Sequence, residues 1–243
     1  MKNNVWAIIP ARSGSKGIKN KNIQKIGKHP LLAWAVVAAL KSKYIDRVIV
    51  STDSSRYANI AKNYGAEVPF LRSKKYAKDN STDYDLINEL IKNLQIYSKP
   101  PKKIAYIRPT TPFRNPNCID KAILHFNSKR KYTSLRSVHE MSETAYKTFE
   151  ISKSQKLVPI KTDITSYANI NKPRQSFPKT YSANGYIDIF KTEFLIKSKD
   201  IYGTKILPYI TQPVIEIDSI SDLSFAKLML SGKNQVQNKL FNK

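Results

Sequence analysis

The chain has 243 residues, 41% of them hydrophobic, enough for one large α/β domain. Lys and Arg number 42 against 18 Asp and Glu, and a net charge of +24 attracts polyanions whether or not binding them is the function. The lysines are spread along the chain, with no RNP1, KH or zinc-finger pattern, so a solvated basic surface is expected rather than specific nucleic-acid binding.

No apolar run approaches the ~18 residues that span a bilayer. The short N-terminal apolar run leads directly into a cationic loop, so no signal peptide is expected. Cys118 is the single cysteine; no internal disulfide is possible, which suits a cytoplasmic protein. His29, His125 and His139 lack metal-ligand spacing, so no zinc site is expected.

Residues 5–9 predict a buried strand that empties at Pro10 into a polar loop, 10–22. In that loop Gly14 and Gly17 permit tight turns and close approach of N–H groups to a ligand. Ser13 and Ser15 add short donors, and Arg12, Lys16 and Lys21 add positive charge. The combination suits a phosphate cradle, although neither the GxxxxGK[ST] nor the GxGxxG spacing is present.

A helix is predicted over 30–41, a strand over 46–51, and a helix over 54–64 that stops at Gly65. A short extended piece (66–71), a helix (82–97), a strand (103–107), a helix (116–126) and a strand (132–138) follow. This alternation implies a largely parallel sheet covered on both faces, with ligands beyond the carboxyl ends of its strands. The loops 10–22, 52–54 and 108–114 are therefore expected at one rim. Residues 145–178 break the pattern and read as an insertion or arm. Strands are predicted at 185–190, 206–209 and 214–217, then a helix over 221–231 and a frayed basic tail, 232–243.

Glu216-Ile217-Asp218 ends the predicted strand 214–217, which places two carboxylates on one face, able to hold Mg²⁺. The same residues suit a helix N-terminus, with Asp218-Ser219 as cap and Asp222 in the first turn; spacing alone leaves both readings open. In 108–114, Arg108 and Arg114 suit either bidentate clamps on an anion or a stiff strand-to-helix connection. Arg174, Gln175 and Asn184 form a polar cluster that suits sugar or anion contacts, though each singly suits a loop.

Together and in this order, IIPARSGSKG with Lys21 and Asn22, VIVSTDS, YGAEVPFLR, RPTTPFR, SVHEMSETAYK, KPRQSFP, NGYIDI and EIDSISDL resemble the bacterial CMP-sialic acid synthetases. These acylneuraminate cytidylyltransferases belong to a wider group that activates nine- and eight-carbon sugar acids. The resemblance spans residues 5–230. It implies a Rossmann-like α/β nucleotidyltransferase with a mostly parallel central sheet, a single domain over 1–231 and a dimerisation arm drawn partly from 145–178. It also implies a homodimer, no membrane insertion, and an Mg²⁺-dependent reaction of CTP with a sugar acid that gives the CMP-sugar and pyrophosphate.

Residue by residue, the resemblance places Arg12, Ser13, Gly14, Ser15, Lys16, Lys21 and Asn22 at the nucleotide, joined by Arg72 and Thr82. Arg12, Lys21 and Asp218 would carry catalysis, with Glu216 and Asp218 at the metal. Arg108, Lys147, Arg174, Gln175 and Asn184 would lie toward the sugar. The chain departs from the family pattern at Lys19 (a proline), Arg108 (a glutamine), Tyr186 (often alanine), Asp188 (a tyrosine-like position) and Glu216 (an aspartate). Most of these departures lie near sugar or metal, so sialic, legionaminic, pseudaminic and related acids all stand as acceptors. The eight-carbon 3-deoxy-manno-octulosonate is the neighbouring alternative.

Overall fold

The structure, a computed structural model, describes residues 3–96, 99–160, 170–231 and 240–241. Strand β1 (Val5–Pro10) runs into the cationic loop, which ends in a 3-10 turn, Lys21–Ile23. The small ladder of β2 (Lys25–Ile26) and β3 (His29–Pro30) leads to α1 (Leu31–Leu40), with Pro30 fixing the approach to the helix. Strand β4 (Arg47–Ser51), α2 (Ser55–Asn63), α3 (Asp83–Gln95), β5 (Lys103–Tyr106) and α4 (Pro116–Ser128) continue the alternation. Then come β6 (Ser134–Glu140), a hairpin of β7 (Phe149–Ile151) and β8 (Leu157–Pro159), β9 (Tyr181–Lys191) and α5 (Thr192–Ser198). Strand β10 (Ile206–Ile210) and α6 (Ile220–Ser231) complete the set.

The central sheet has six strands in the order β10-β6-β9-β5-β1-β4. All neighbouring pairs are parallel except those made by β9, which runs antiparallel between β5 and β6. Side chains of β1 alternate between two cores. Val5, Ala7 and Ile9 join the cluster around Trp34 and Phe126, and Trp6 and Ile8 join the cluster around Leu86, Leu90 and Phe190. Helix α1 is buried on almost every side, as its apolar body predicts. Gly65 follows α2 with φ 93°, the left-handed conformation expected of a helix stop.

Three expectations need correction. Residues 214–217 form no strand; instead Ile217 is fully buried, and its N–H donates to the Thr110 carbonyl at 2.8 Å. The segment is fastened to the loop after β5 rather than to the sheet. The tail is not frayed throughout, since Leu240 is buried and Phe241 stacks on His29 at 3.6 Å and meets Trp34 edge-on at 4.8 Å. Residues 232–239 and 242–243 lie outside the described residues. The late strand predicted at 185–190 begins earlier, at Tyr181, because it pairs with β6 along nearly its whole length.

That pairing slips between Arg136 and Val138, opposite Gly185, which adopts φ 60°. The Ser137 hydroxyl accepts the Ile187 N–H at 2.9 Å and replaces the lost ladder bond. Among the described residues, no helix is long and apolar enough to cross a membrane.

Candidate active site

Beyond the carboxyl ends of β1 and β5 lies a cleft of about 380 Å³. Its walls come from the loop after β1 (Arg12, Ser15, Lys16, Gly17), the loop after β5 (Arg108, Pro109, Thr110), the segment before α3 and Asp218. The three loops expected at one rim do converge: Asp53, after β4, accepts both the Ser13 N–H at 2.8 Å and the Ser13 hydroxyl at 2.7 Å. Ser13 therefore ties the cationic loop to its neighbour, while Ser15 lines the cleft.

Gly17 closes the site by close approach. A Cβ there would stand 2.7 Å from the Asp218 carbonyl oxygen, inside contact distance. A Cβ at Gly14 would meet no protein atom within 4 Å, so close approach within the chain requires glycine at Gly17 alone of the two. Gly17→Ala is expected to push residue 218 from the loop and lower catalytic efficiency about tenfold, with a small fall in Tm. Steady-state kinetics beside a thermal melt check this.

The cations are organised by carboxylates. Lys21 Nζ lies 2.8 Å from Asp218, joining residues far apart in sequence. Arg12 and Lys16 each lie 2.6 Å from Asp79. These two donors hold the Asp79 carboxyl below the usual range, Lys16 having the larger effect. Asn22 is buried, and its Nδ2 donates to the Arg12 carbonyl at 3.0 Å, fixing the backbone of the loop. Arg72 is buried at the cleft floor, donating through Nε to the Ser51 hydroxyl at 3.0 Å; burial lowers its pKa. Thr82 caps α3 in a capping box with Asp85 and does not line the cleft, whereas its neighbour Ser81 does.

Arg108 and Arg114 do not stand as free anion clamps. Arg108 donates to Asp188 at 2.6 Å and to Asp83 at 2.7 Å. Tyr106 donates to Asp83 at 2.6 Å and Tyr202 to Asp188 at 2.9 Å, which completes a largely buried network. Burial alone would lower the Arg108 pKa, but Asp188 and Asp83 outweigh it and raise it. Arg114 is buried and donates to the carbonyls of Arg108, Thr111, Gly185 and Tyr186, so it folds the loop onto β9. Burial pulls its pKa down to about 9, which leaves it protonated at neutral pH.

Of the residues expected toward the sugar, Arg108 lines the cleft and the others lie elsewhere in the single chain. Arg174 and Gln175 line a separate pocket of about 530 Å³ with Phe177, which shares no lining residue with the cleft. Lys147 reaches toward this group, its Nζ 5.8 Å from the Phe177 ring centre. Asn184 is buried and donates to the Thr211 hydroxyl at 2.7 Å, so it pins β9.

The chemistry of the acidic side chains suits a hard divalent cation. Asp218 is 70% exposed at the cleft, with one oxygen on Lys21. Glu216 is partly buried and does not line the cleft; it accepts from Thr110 at 3.3 Å and faces Gly185. The described residues contain no group of three metal-ligating side chains. One or two carboxylates completed by phosphate oxygens and water is a donor set that Mg²⁺ accepts.

Sequence reasoning missed Asp79, Tyr76, Lys78, Asp83 and Leu86, all of which line the cleft. An aspartate alone among lysines (KKYAKD) was the available signal for Asp79.

Comparison with known proteins gives the family and the fold. The family model described as Cytidylyltransferase matches residues 6–241. The N-acylneuraminate cytidylyltransferase of Escherichia coli is 32% identical over 97% of this chain, which spans 54% of that longer protein. The CMP-N,N'-diacetyllegionaminic acid synthase of Legionella pneumophila is 31% identical over 93% of this chain and 96% of its own length. A CMP:2-keto-3-deoxy-manno-octonic acid synthetase solved with CTP shares the fold, with a TM-score of 0.69 at 14% identity, covering 94% of this chain and 99% of that one. With its mostly parallel sheet and its cationic loop, the chain belongs to the cytidylyltransferase family and is a nucleotidyltransferase.

Proposed function

We propose that this protein activates a nine-carbon sugar acid with CTP, giving the CMP-sugar and pyrophosphate. The observation that carries the reading is the convergence of Arg12, Lys16, Lys21 and Asp218 on one cleft beyond β1. The names of the Escherichia coli and Legionella relatives support the acceptor class.

In this reading Arg12 and Lys16 hold the outer phosphates, and Lys21 lies beside the α-phosphate. The anomeric hydroxyl attacks the α-phosphorus, the bond to the bridging oxygen breaks, and pyrophosphate leaves in line. Positioning and charge neutralisation supply most of the acceleration. Asp218, joined by Glu216, would hold Mg²⁺, which offsets charge on the phosphates when bound. The acceptor carboxylate does not meet a free Arg108 charge, because Asp83 and Asp188 already neutralise it. Lys147 supplies that charge from the arm of a second copy, in a homodimer, with Arg174, itself 3.6 Å from Glu140, beside it. The arm hairpin exposes Ile151, Leu157 and Val158, apolar surface suited to such an interface.

Purified protein with CTP and Mg²⁺, challenged with sialic, legionaminic, pseudaminic and 3-deoxy-manno-octulosonic acids, tests the acceptor class. A CMP-sugar from a nine-carbon acid is expected; product from the eight-carbon acid alone overturns the reading. Arg12→Ala is expected to raise KM for CTP about tenfold to a hundredfold by removing a charge-assisted contact. Unchanged CTP kinetics in this variant would remove Arg12 from the phosphate site.

A further inference from the structure

The segment before α3 presents Asp79 to the phosphate loop in an arrangement that the proposed reaction does not use. Its two carboxylate oxygens take separate cations, Oδ1 on Arg12 and Oδ2 on Lys16, each at 2.6 Å. Two oxygens of one phosphoryl group would bridge the same pair in the same way. We infer that Asp79 is a placeholder in the phosphate seat: it holds Arg12 and Lys16 in the empty enzyme, yields them to the triphosphate, and takes them back as pyrophosphate leaves. The inference rests on the proposed use of CTP and adds to it a residue that sets nucleotide affinity and product release.

The segment is built for such an exchange. At one end the Ser73 N–H and hydroxyl donate to Glu89 on α3. At the other, Thr82 is locked in the capping box. Between these anchors a 3-10 turn, Lys74–Tyr76, and a turn closed by Ser81 onto Lys75 and Lys78 carry Asp79 across the cleft. The contact is exposed, with the Lys16 side chain at 82% and Asp79 at 45%. Exposed ion pairs are weak and screened by salt, so a multiply charged phosphate displaces a single carboxylate. Of the loop's other two cations, Lys21 is already matched by Asp218 and Lys19 does not line the cleft. Asp79 is therefore the group that competes with the ligand for the outer two. An empty site without it would present unpaired cations that retain pyrophosphate.

Calorimetric titration of wild type, Asp79→Asn and Asp79→Ala with CTP, with inorganic pyrophosphate and with cytidine tests the inference. Both variants are expected to bind CTP and pyrophosphate about three- to tenfold more tightly, with the gain shrinking as salt rises. Cytidine affinity is expected to stay unchanged, and pyrophosphate to become a stronger product inhibitor. Equal or weaker pyrophosphate binding in both variants, with wild type binding normally, overturns the placeholder and leaves the proposed function standing. Binding of neither CTP nor pyrophosphate by any of the three proteins overturns both.

Discussion

Arg108→Met is expected to destabilise the fold by about 3 kcal/mol, read as a shift in the denaturation midpoint. Arg108 is held by two carboxylates, and the Asp188 side chain is 1% exposed. Removing the guanidinium strands that carboxylate near the centre of the sheet, with the Tyr202 hydroxyl at 2.9 Å and Arg136 at 3.9 Å as its remaining partners. The penalty comes from the unpaired buried charge rather than from lost attraction. It follows that Asp188→Asn on top of Arg108→Met recovers part of the loss, because it removes the stranded charge. A single variant as stable as wild type would show that solvent reaches this network.

Asp218→Asn is expected to lower Mg²⁺-dependent turnover about a hundredfold or more while leaving Tm near wild type. Stability is spared because the side chain is exposed and its ion pair with Lys21 is only partly buried. Asparagine keeps the size and one acceptor oxygen but removes the charge that would hold the cation and fix Lys21. The loss is expected mainly in kcat, with the Mg²⁺ requirement moved to higher concentration. Full activity with an unchanged Mg²⁺ titration would remove Asp218 from the reaction.

Much of the scaffold was legible because local signals and tertiary structure agree. The apolar run of β1, the apolar body of α1 and the stop at Gly65 are written in a few adjacent residues. The cationic loop after β1 was legible for the same reason. What escaped depends on partners distant in sequence. Nothing local to β9 says that it runs antiparallel between β5 and β6, since side-chain alternation is the same in either direction. Arg108 and Arg114 look like free anion clamps until β9 brings Asp188 and the carbonyls of Gly185 and Tyr186 against them. Extended residues 214–217 have the composition of a strand, yet their place is set by Thr110 and Gly17. Asp79 reads as a solvated loop residue until the fold sets Arg12 and Lys16 beside it.

In the proposed function one cleft grips a cytidine triphosphate and passes its nucleotidyl group to a sugar acid. Initial rates of pyrophosphate release with CTP, UTP, ATP and GTP, each with Mg²⁺ and with or without the nine-carbon acid, decide whether it does. Rapid release with CTP that requires the acid is the result expected. Equal rates with ATP, or release indifferent to the acid, would contradict it.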